Sequence, residues 1–283
     1  MRISILGMGN MGRAFASRAI ETGHQTTVWN RTPGRVAALV ASGAIEANTS
    51  TAAAAGADAV LVVLADDAAV LDVCLGDDGV LASLEPDAVF ANVSTVSPET
   101  ARRLAELGPK GRVIDAPVMG SPAMIVGGLG RFLIGGPAPA ISAIEPLWND
   151  LGSGYTHCGP VGTGATMKIL ANSLLITGVA SLAEAIATAR QHAIPDEFLR
   201  TLLADSPVLS LASNLRLDSL LDPTHPGWFS PTLARKDLRL AIGLAEETGV
   251  GVRIGPAAEA LLTTVIDAGA EWPDFAAVIE ALS

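Results

Sequence analysis

Ile3-Ser4-Ile5-Leu6-Gly7-Met8-Gly9-Asn10-Met11-Gly12-Arg13-Ala14-Phe15-Ala16 decides the fold of this chain. A short apolar run leads into glycines spaced Gly-x-Gly-x-x-Gly and out into a segment of helical composition, so the loop sits between a strand and a helix. There the backbone N–H groups at the start of the helix can meet a pyrophosphate. Without those flanks the glycines would read as an ordinary tight turn. With them, Gly7, Met8, Gly9, Asn10, Met11 and Gly12 become candidates for holding a dinucleotide.

Working outward, the apolar runs Ile3–Leu6, Thr26–Trp29, Ala59–Leu64, Ala88–Val93 and Val113–Asp115 alternate with Ala-rich segments of helical composition. This is the pattern of βαβ units and predicts a mostly parallel sheet, an α/β fold class. Gly23 stands where the first helix should stop, and its freedom at positive φ suits a C-terminal cap. The segment from Gly127 to Gly136, GGLGRFLIGG, reads as a glycine-flanked strand; helical character then resumes, and a strand near Tyr155–His157 closes the sheet. After Gly159-Pro160-Val161-Gly162-Thr163-Gly164 the chain turns almost wholly helical, beginning with an Ala/Leu-rich segment to about His192. The expected domains are 1–161, a dinucleotide-binding sheet, and 162–283, all-α.

The 283 residues suffice for two such domains. A formal net charge of −11 opposes the clustered Lys and Arg of a nucleic-acid binder and leaves a small molecule as the expected partner. Cys74 and Cys158 are isolated and lack CxxC spacing, which favours unpaired thiols in a reducing compartment, the cytoplasm. The first strand begins at Arg2 and leaves no room for a signal peptide. The apolar stretch Ile169–Ala183 is too short and too close to Lys168 and Glu184 for a membrane span, so no membrane is expected. His24, His157, His192 and His225 show no metal-ligand spacing, and no metal or catalytic role is assigned to them.

About twenty residues past the glycine loop, an NAD site would place Asp or Glu to accept from the adenosine ribose hydroxyls. Here the chain reads Asn30-Arg31-Thr32. A guanidinium without a neighbouring carboxylate suits the extra 2′-phosphate of NADP, so NADPH is expected in preference to NADH. The competing reading makes Arg31 a solvated turn residue, with Arg35 as a substitute. Leu64, ending its strand, joins the cofactor candidates.

Gly7–Gly12 with Val28-Trp29-Asn30-Arg31-Thr32, Asn92-Val93-Ser94-Thr95, Asp115-Ala116-Pro117-Val118, Gly162–Lys168 and Lys236-Asp237-Leu238-Arg239-Leu240-Ala241 together resemble the β-hydroxyacid dehydrogenase family over nearly the whole chain. The closest look within it is to glyoxylate/succinic semialdehyde reductases. The resemblance implies a Rossmann domain followed by an all-helical domain, an active site in the cleft between them, and a homo-oligomer, a dimer or tetramer. On it, Lys168 matches the catalytic lysine. That accords with chemistry: an ammonium beside a carbonyl can protonate the oxygen as hydride reaches the carbon. Asn172, one helical turn later, is placed to orient Lys168 or substrate. The resemblance also puts Thr95 beside the nicotinamide, against a turn or N-cap role before Pro98. It brings Lys236 to the cofactor, against a surface ion pair, with Asp237 holding the segment by a helix-terminal hydrogen bond. Phe229 walls the substrate cavity or fills core, and Ser94 joins the substrate residues.

The family's Ser-Gly-Gly or Ser-Gly-Ser after Asp-Ala-Pro-Val is here Met119-Gly120-Ser121. Met119 lacks the hydroxyl, whereas Ser121 and the backbone amides retain anion-binding capacity. Met119 either packs into a gap or admits a larger, less polar substrate. Arg131 either meets a distal acid group of the substrate or points to solvent. The leading function is NADPH-dependent reduction of a small aldehyde or 2-oxo acid to a hydroxy acid, or the reverse oxidation of a 3-hydroxy acid. The alternatives are an NADPH-dependent imine reductase, against which Lys168 argues, and a non-catalytic NADP-binding sensor, which would not need Lys168 with Asn172.

Overall fold

The computed structural model describes residues 1–32, 34–76, 78–204 and 206–282. The chain divides into two compact units, Met1–Lys168 and Ile169–Ser283. Among the described residues the first unit carries strands β1 (Arg2–Leu6), β2 (Gln25–Trp29), β3 (Ile45–Glu46), β4 (Ala59–Val62), β5 (Val89–Asn92), β6 (Val113–Asp115), β7 (Val118–Met119), β8 (Arg131–Gly135) and β9 (Tyr155–Gly159). Their order is β3-β2-β1-β4-β5-β6-β8-β7, with β9 beside β8. Strands β1 to β6 pair in parallel, β8 runs antiparallel to β6 and β7, and β9 is parallel to β8. This is the doubly wound arrangement expected of alternating strands and helices.

The strands read as continuous apolar runs because both faces of the sheet are covered. Ile3, Ile5, Val28, Leu61 and Ala91 point into one core, and Leu6, Val60, Val62, Phe90 and Val113 into another. The helix Asn10–Glu21 after the glycine loop lays Ala14, Phe15, Ala16 and Ala19 onto the first of these. Phe15 stacks 5.8 Å from Phe132, which in turn lies 5.0 Å from Trp148. Gly23, at φ 83°, ends that helix as expected.

The glycine-flanked strand is β8, and the chain before it, Pro122–Val126, forms a short helix that the sequence reading did not include. Proline at the first helical turn and Ser121 as cap account for it, with the Met124 N–H donating to Ser121 Oγ at 3.2 Å.

The helix Thr163–Gln191 carries the chain into the second unit, where the helices Asp196–Leu203, Leu217–Leu221, Pro231–Glu247 and Ile254–Asp267 follow among others. By length and composition the Thr163–Gln191 helix is large enough to span a membrane, longer than the stretch Ile169–Ala183 taken from sequence. Its Ile176, Val179, Leu182, Ala183 and Ile186 instead form the core of the second unit with Leu220, Leu238, Leu262 and Phe275. A buried ion pair fixes the approach to the Pro231–Glu247 helix. Arg216 Nε donates to Asp274 Oδ1 at 2.9 Å, and Asp274 Oδ2 accepts from the Trp228 and Phe229 N–H groups at 3.2 Å each. Ser230 then caps the helix, accepting from the Leu233 N–H.

Candidate active site

The three glycines of the first loop answer to three different constraints. Gly7 stands at φ +101°, and a Cβ there would lie 2.3 Å from the Val63 carbonyl oxygen and 2.7 Å from Leu64 Cδ2. A Cβ on Gly12 would lie 1.8 Å from the Gly7 carbonyl oxygen, so glycine is what lets the helix seat against the strand. At Gly9 a Cβ would meet no protein atom within 4 Å. Gly9 leads the Asn10–Glu21 helix, which has no side-chain cap and no acidic residue in its first turn. An open approach to uncapped N–H groups at the positive end of a helix dipole is what a pyrophosphate requires. The chain therefore fits a dinucleotide here. Met8 contributes differently: its side chain is fully buried, its N–H donates to Asn30 Oδ1 at 3.0 Å, and its carbonyl accepts from Arg13 Nη1 at 2.9 Å.

Asn30 thus ties the glycine loop to the loop after β2. Its Nδ2 also donates to the Thr32 carbonyl at 2.8 Å, shaping the turn that carries Arg31. Arg31 and Thr32 are exposed, and among the described residues Arg31 makes no hydrogen bond or ion pair. At the ends of β4 and β5, the Leu64 N–H donates to Ser94 Oγ at 2.9 Å and Ser94 Oγ donates to the Val62 carbonyl at 3.1 Å. Ser94 is buried, and these two bonds make it a staple that sets Leu64. Thr95 is half-buried and leaves the capping role to Ser97, whose Oγ accepts from the Thr100 N–H at 3.1 Å. All these segments leave the carboxyl ends of β1, β2, β4 and β5, where open α/β sheets bind ligands.

A second strand-to-helix junction of the first unit carries Lys168. Asp115, the last residue of β6, is 1% exposed. Its Oδ1 accepts from the Gly162 N–H and its Oδ2 from the Ala165 N–H, each at 2.7 Å. Burial pushes this carboxyl up, and the N–H groups of Gly162 and Ala165 pull it the other way. Gly135 and Gly164 allow the approach: a Cβ on either would come within 3 Å of Asp115 and of neighbouring backbone. Lys168 is half-buried, three residues past Ala165.

In the second unit, Asn172 is buried and donates Nδ2 to Asp237 Oδ2 at 2.6 Å. A carboxylate only accepts, so this bond fixes the amide and turns Asn172 Oδ1 away as an acceptor. Lys236 Nζ lies 2.7 Å from Asp237 Oδ1, close enough for an ion pair but not aligned as a hydrogen bond. Adjacent residues on a helix do not face one another, which explains the misalignment. Asp237 therefore corrects its sequence reading: it sits within the Pro231–Glu247 helix and makes no helix-terminal bond, but joins that helix to Asn172. Phe229 lies in the core of the second unit, stacked on Trp228 at 5.8 Å and edge-on to Phe275 at 5.3 Å.

In the loop after β6, Met119 is 39% exposed on the short strand β7, opposite Arg131. Gly120, at φ +150°, passes close to Gly130, and Ser121 spends an oxygen lone pair on the Met124 N–H. Arg131 is exposed, as the solvent-facing reading has it, and its guanidinium lies on the surface of the sheet. Its Nε donates to Thr156 Oγ1 at 3.1 Å and its Nη2 to the Tyr155 carbonyl at 2.8 Å, lying along β9. Among the described residues no group of three or more His, Cys, Asp or Glu is placed to hold a metal ion.

Sequence reasoning missed the role of Asp115, although a lone carboxylate closing an apolar central strand was a visible signal. The partner it caps lies 47 and 50 residues away. Comparison with known proteins accords with this geometry. Residues 2–159 match the NAD binding domain of 6-phosphogluconate dehydrogenase, and residues 162–282 match the NAD-binding domain of NADP-dependent 3-hydroxyisobutyrate dehydrogenase. The chain is 30% identical to glyoxylate/succinic semialdehyde reductase 2, chloroplastic, of Arabidopsis thaliana, over 99% of this chain and 79% of that protein. It is 32% identical to 3-hydroxyisobutyrate dehydrogenase of Pseudomonas aeruginosa, over 95% and 93%. The solved structure of Mycobacterium tuberculosis 3-hydroxyisobutyrate dehydrogenase with L-serine aligns at a TM-score of 0.83 and 26% identity, over 100% of this chain and 99% of that one. A glycine loop open to a dinucleotide and matches across both halves carry one conclusion: the chain belongs to the β-hydroxyacid dehydrogenase family, oxidoreductases of the CH–OH/C=O couple.

Proposed function

We propose that this chain reduces a small aldehyde or 2-oxo acid of the semialdehyde or glyoxylate type to the hydroxy acid with NADPH, and runs the reverse oxidation of a 3-hydroxy acid. The observation that carries the reading is Lys168, half-buried and four residues before Asn172 along one helix. Bound NADPH supplies hydride to the carbonyl carbon. Lys168, as ammonium, gives a proton from Nζ to the oxygen that receives the carbonyl electron pair; in reverse its neutral amine takes the hydroxyl proton. Such assistance is worth about 10²–10⁴-fold. Asn172 Oδ1, turned outward from the Asp237 bond, serves as acceptor for a lysine N–H or a substrate hydroxyl.

Preference for NADPH rests on Asn30-Arg31-Thr32, where the end of β2 offers an exposed guanidinium and no carboxylate. A homo-oligomer is supported by apolar side chains left exposed on the second unit, among them Leu174, Phe198, Leu202, Leu211 and Leu215. A cytoplasmic setting accords with two free cysteines, one of them, Cys74, with its thiol pushed up to about 12 by burial.

The test follows NADPH absorbance with succinic semialdehyde, glyoxylate, bulkier ketones and cyclic imines, in the wild type and in Lys168→Ala. We expect fastest turnover on a small oxo acid or semialdehyde, lost by about 10²–10⁴-fold in Lys168→Ala while NADPH still binds. Imines as the best substrates would move the assignment to an imine reductase. Tight NADPH binding with no turnover on any of them would leave a sensor.

A further inference from the structure

We propose that Asp115 is a positioning residue for the reaction: its buried carboxylate anchors the first turn of the Thr163–Gln191 helix and so sets where Lys168 stands. The proposal rests on the reading of Lys168 as the proton donor.

In a capping box, the side chain at the helix N-cap accepts from the third residue's N–H, and that residue's side chain reaches back to the N-cap N–H. Here the N-cap is Gly162 and the third helical residue is Ala165, so neither has a side chain that can do this. One carboxylate from β6 does both, at 2.7 Å to each N–H. The surroundings are built around that bond. A Cβ on Gly135 would lie 2.6 Å from Asp115 Oδ1 and 2.9 Å from the Gly164 nitrogen, and one on Gly164 would lie 2.9 Å from Asp115 Oδ2 and 2.4 Å from the Leu133 carbonyl oxygen. β6, β8 and the helix start therefore meet at a contact that tolerates only glycine on two of its three sides. Lys168 follows three residues after Ala165, less than one turn from the anchored N–H. A strong, charge-assisted pair of bonds at that point holds the lysine's backbone to the sheet. Proton transfer to a developing alkoxide demands such fixed placement, because displacement by about 1 Å costs on the order of 10²-fold in rate.

Asp115→Asn tests the inference with little change of shape. The amide can accept from one of the two N–H groups but turns its own NH2 toward the other. We expect kcat to fall about 10- to 100-fold with NADPH affinity unchanged. In a Lys168→Ala background the same change should cost little more, since the group it positions is gone. An equal loss in that background would mean that Asp115 serves folding alone, and would overturn the proposal. So would a wild-type kcat in Asp115→Asn beside a collapsed Lys168→Ala. Near-normal kcat in Lys168→Ala removes the lysine assignment itself, and the positioning role with it. Should Asp115→Asn not fold, amide exchange in the wild-type protein still decides the anchor. The Gly162 and Ala165 amides should be strongly protected, and rapid exchange at either refutes it.

Discussion

The chain makes two glycine-rich passages from a strand into a helix, and they end differently. At Gly7–Gly12 the helix begins on Gly9 with no side-chain cap, and the space beside Gly9 is open. At Gly159–Gly164 the helix begins just as poor in caps of its own, but Asp115 fills the gap with a buried carboxylate. Both helix starts offer orphan N–H groups and a positive dipole end. The first leaves them for an anion brought by a ligand, and becomes a binding site. The second satisfies them with the protein's own anion, and becomes a rigid mount for the residue that follows.

The sharpest way to break this comparison lies in the glycines of the first loop. Gly12→Ala would set a Cβ 1.8 Å from the Gly7 carbonyl oxygen, so helix and strand must part. Overpacking of this kind typically costs about 1–3 kcal/mol or more, and thermal unfolding should show a clear drop in Tm together with lost NADPH binding. Gly9→Ala meets no protein atom, and at φ −71° its backbone suits alanine. Its Tm should hold while its Kd for NADPH rises at least about tenfold, because the added methyl occupies the ligand's side of the loop. Equal effects of the two substitutions on Tm would end the distinction between a packing glycine and a binding glycine.

A smaller effect separates the anion sites by charge. Arg31→Ala should weaken NADPH by one to two powers of ten and leave NADH almost untouched, since a charge-assisted phosphate contact is worth roughly 1.5–3 kcal/mol. Titration with the two cofactors reads the ratio directly, and an unchanged ratio removes Arg31 from the site. The smallest shift is expected at Met119, exposed on β7, where the family resemblance implies a serine hydroxyl. Met119→Ser should raise kcat/KM for succinic semialdehyde and glyoxylate relative to a bulky uncharged carbonyl by up to about tenfold, through a regained donor and lost apolar contact. A ratio that does not move makes Met119 indifferent to substrate.

What the chain's own order of residues determined is local. Alternating apolar runs and helical segments fixed the parallel sheet, and the spacing of Gly7, Gly9 and Gly12 fixed the loop, because strand pleat, helix period and backbone torsion act over a few residues. Lys168 and Asn172 were singled out by the family resemblance; periodicity by itself said only that they stand four apart on one helix. Tertiary structure alone decided which polar groups are spent and which remain. It gave Ser94 to the stapling of Leu64, Arg131 to β9, Phe229 to the helical core, and the Met8 N–H to Asn30. It also joined Asp115 to a helix start some fifty residues on, and Asp237 to Asn172 across 65 residues. Hydrogen bonds of a buried carboxylate depend on which backbone is brought within 3 Å of it, and no periodicity in the sequence records that distance.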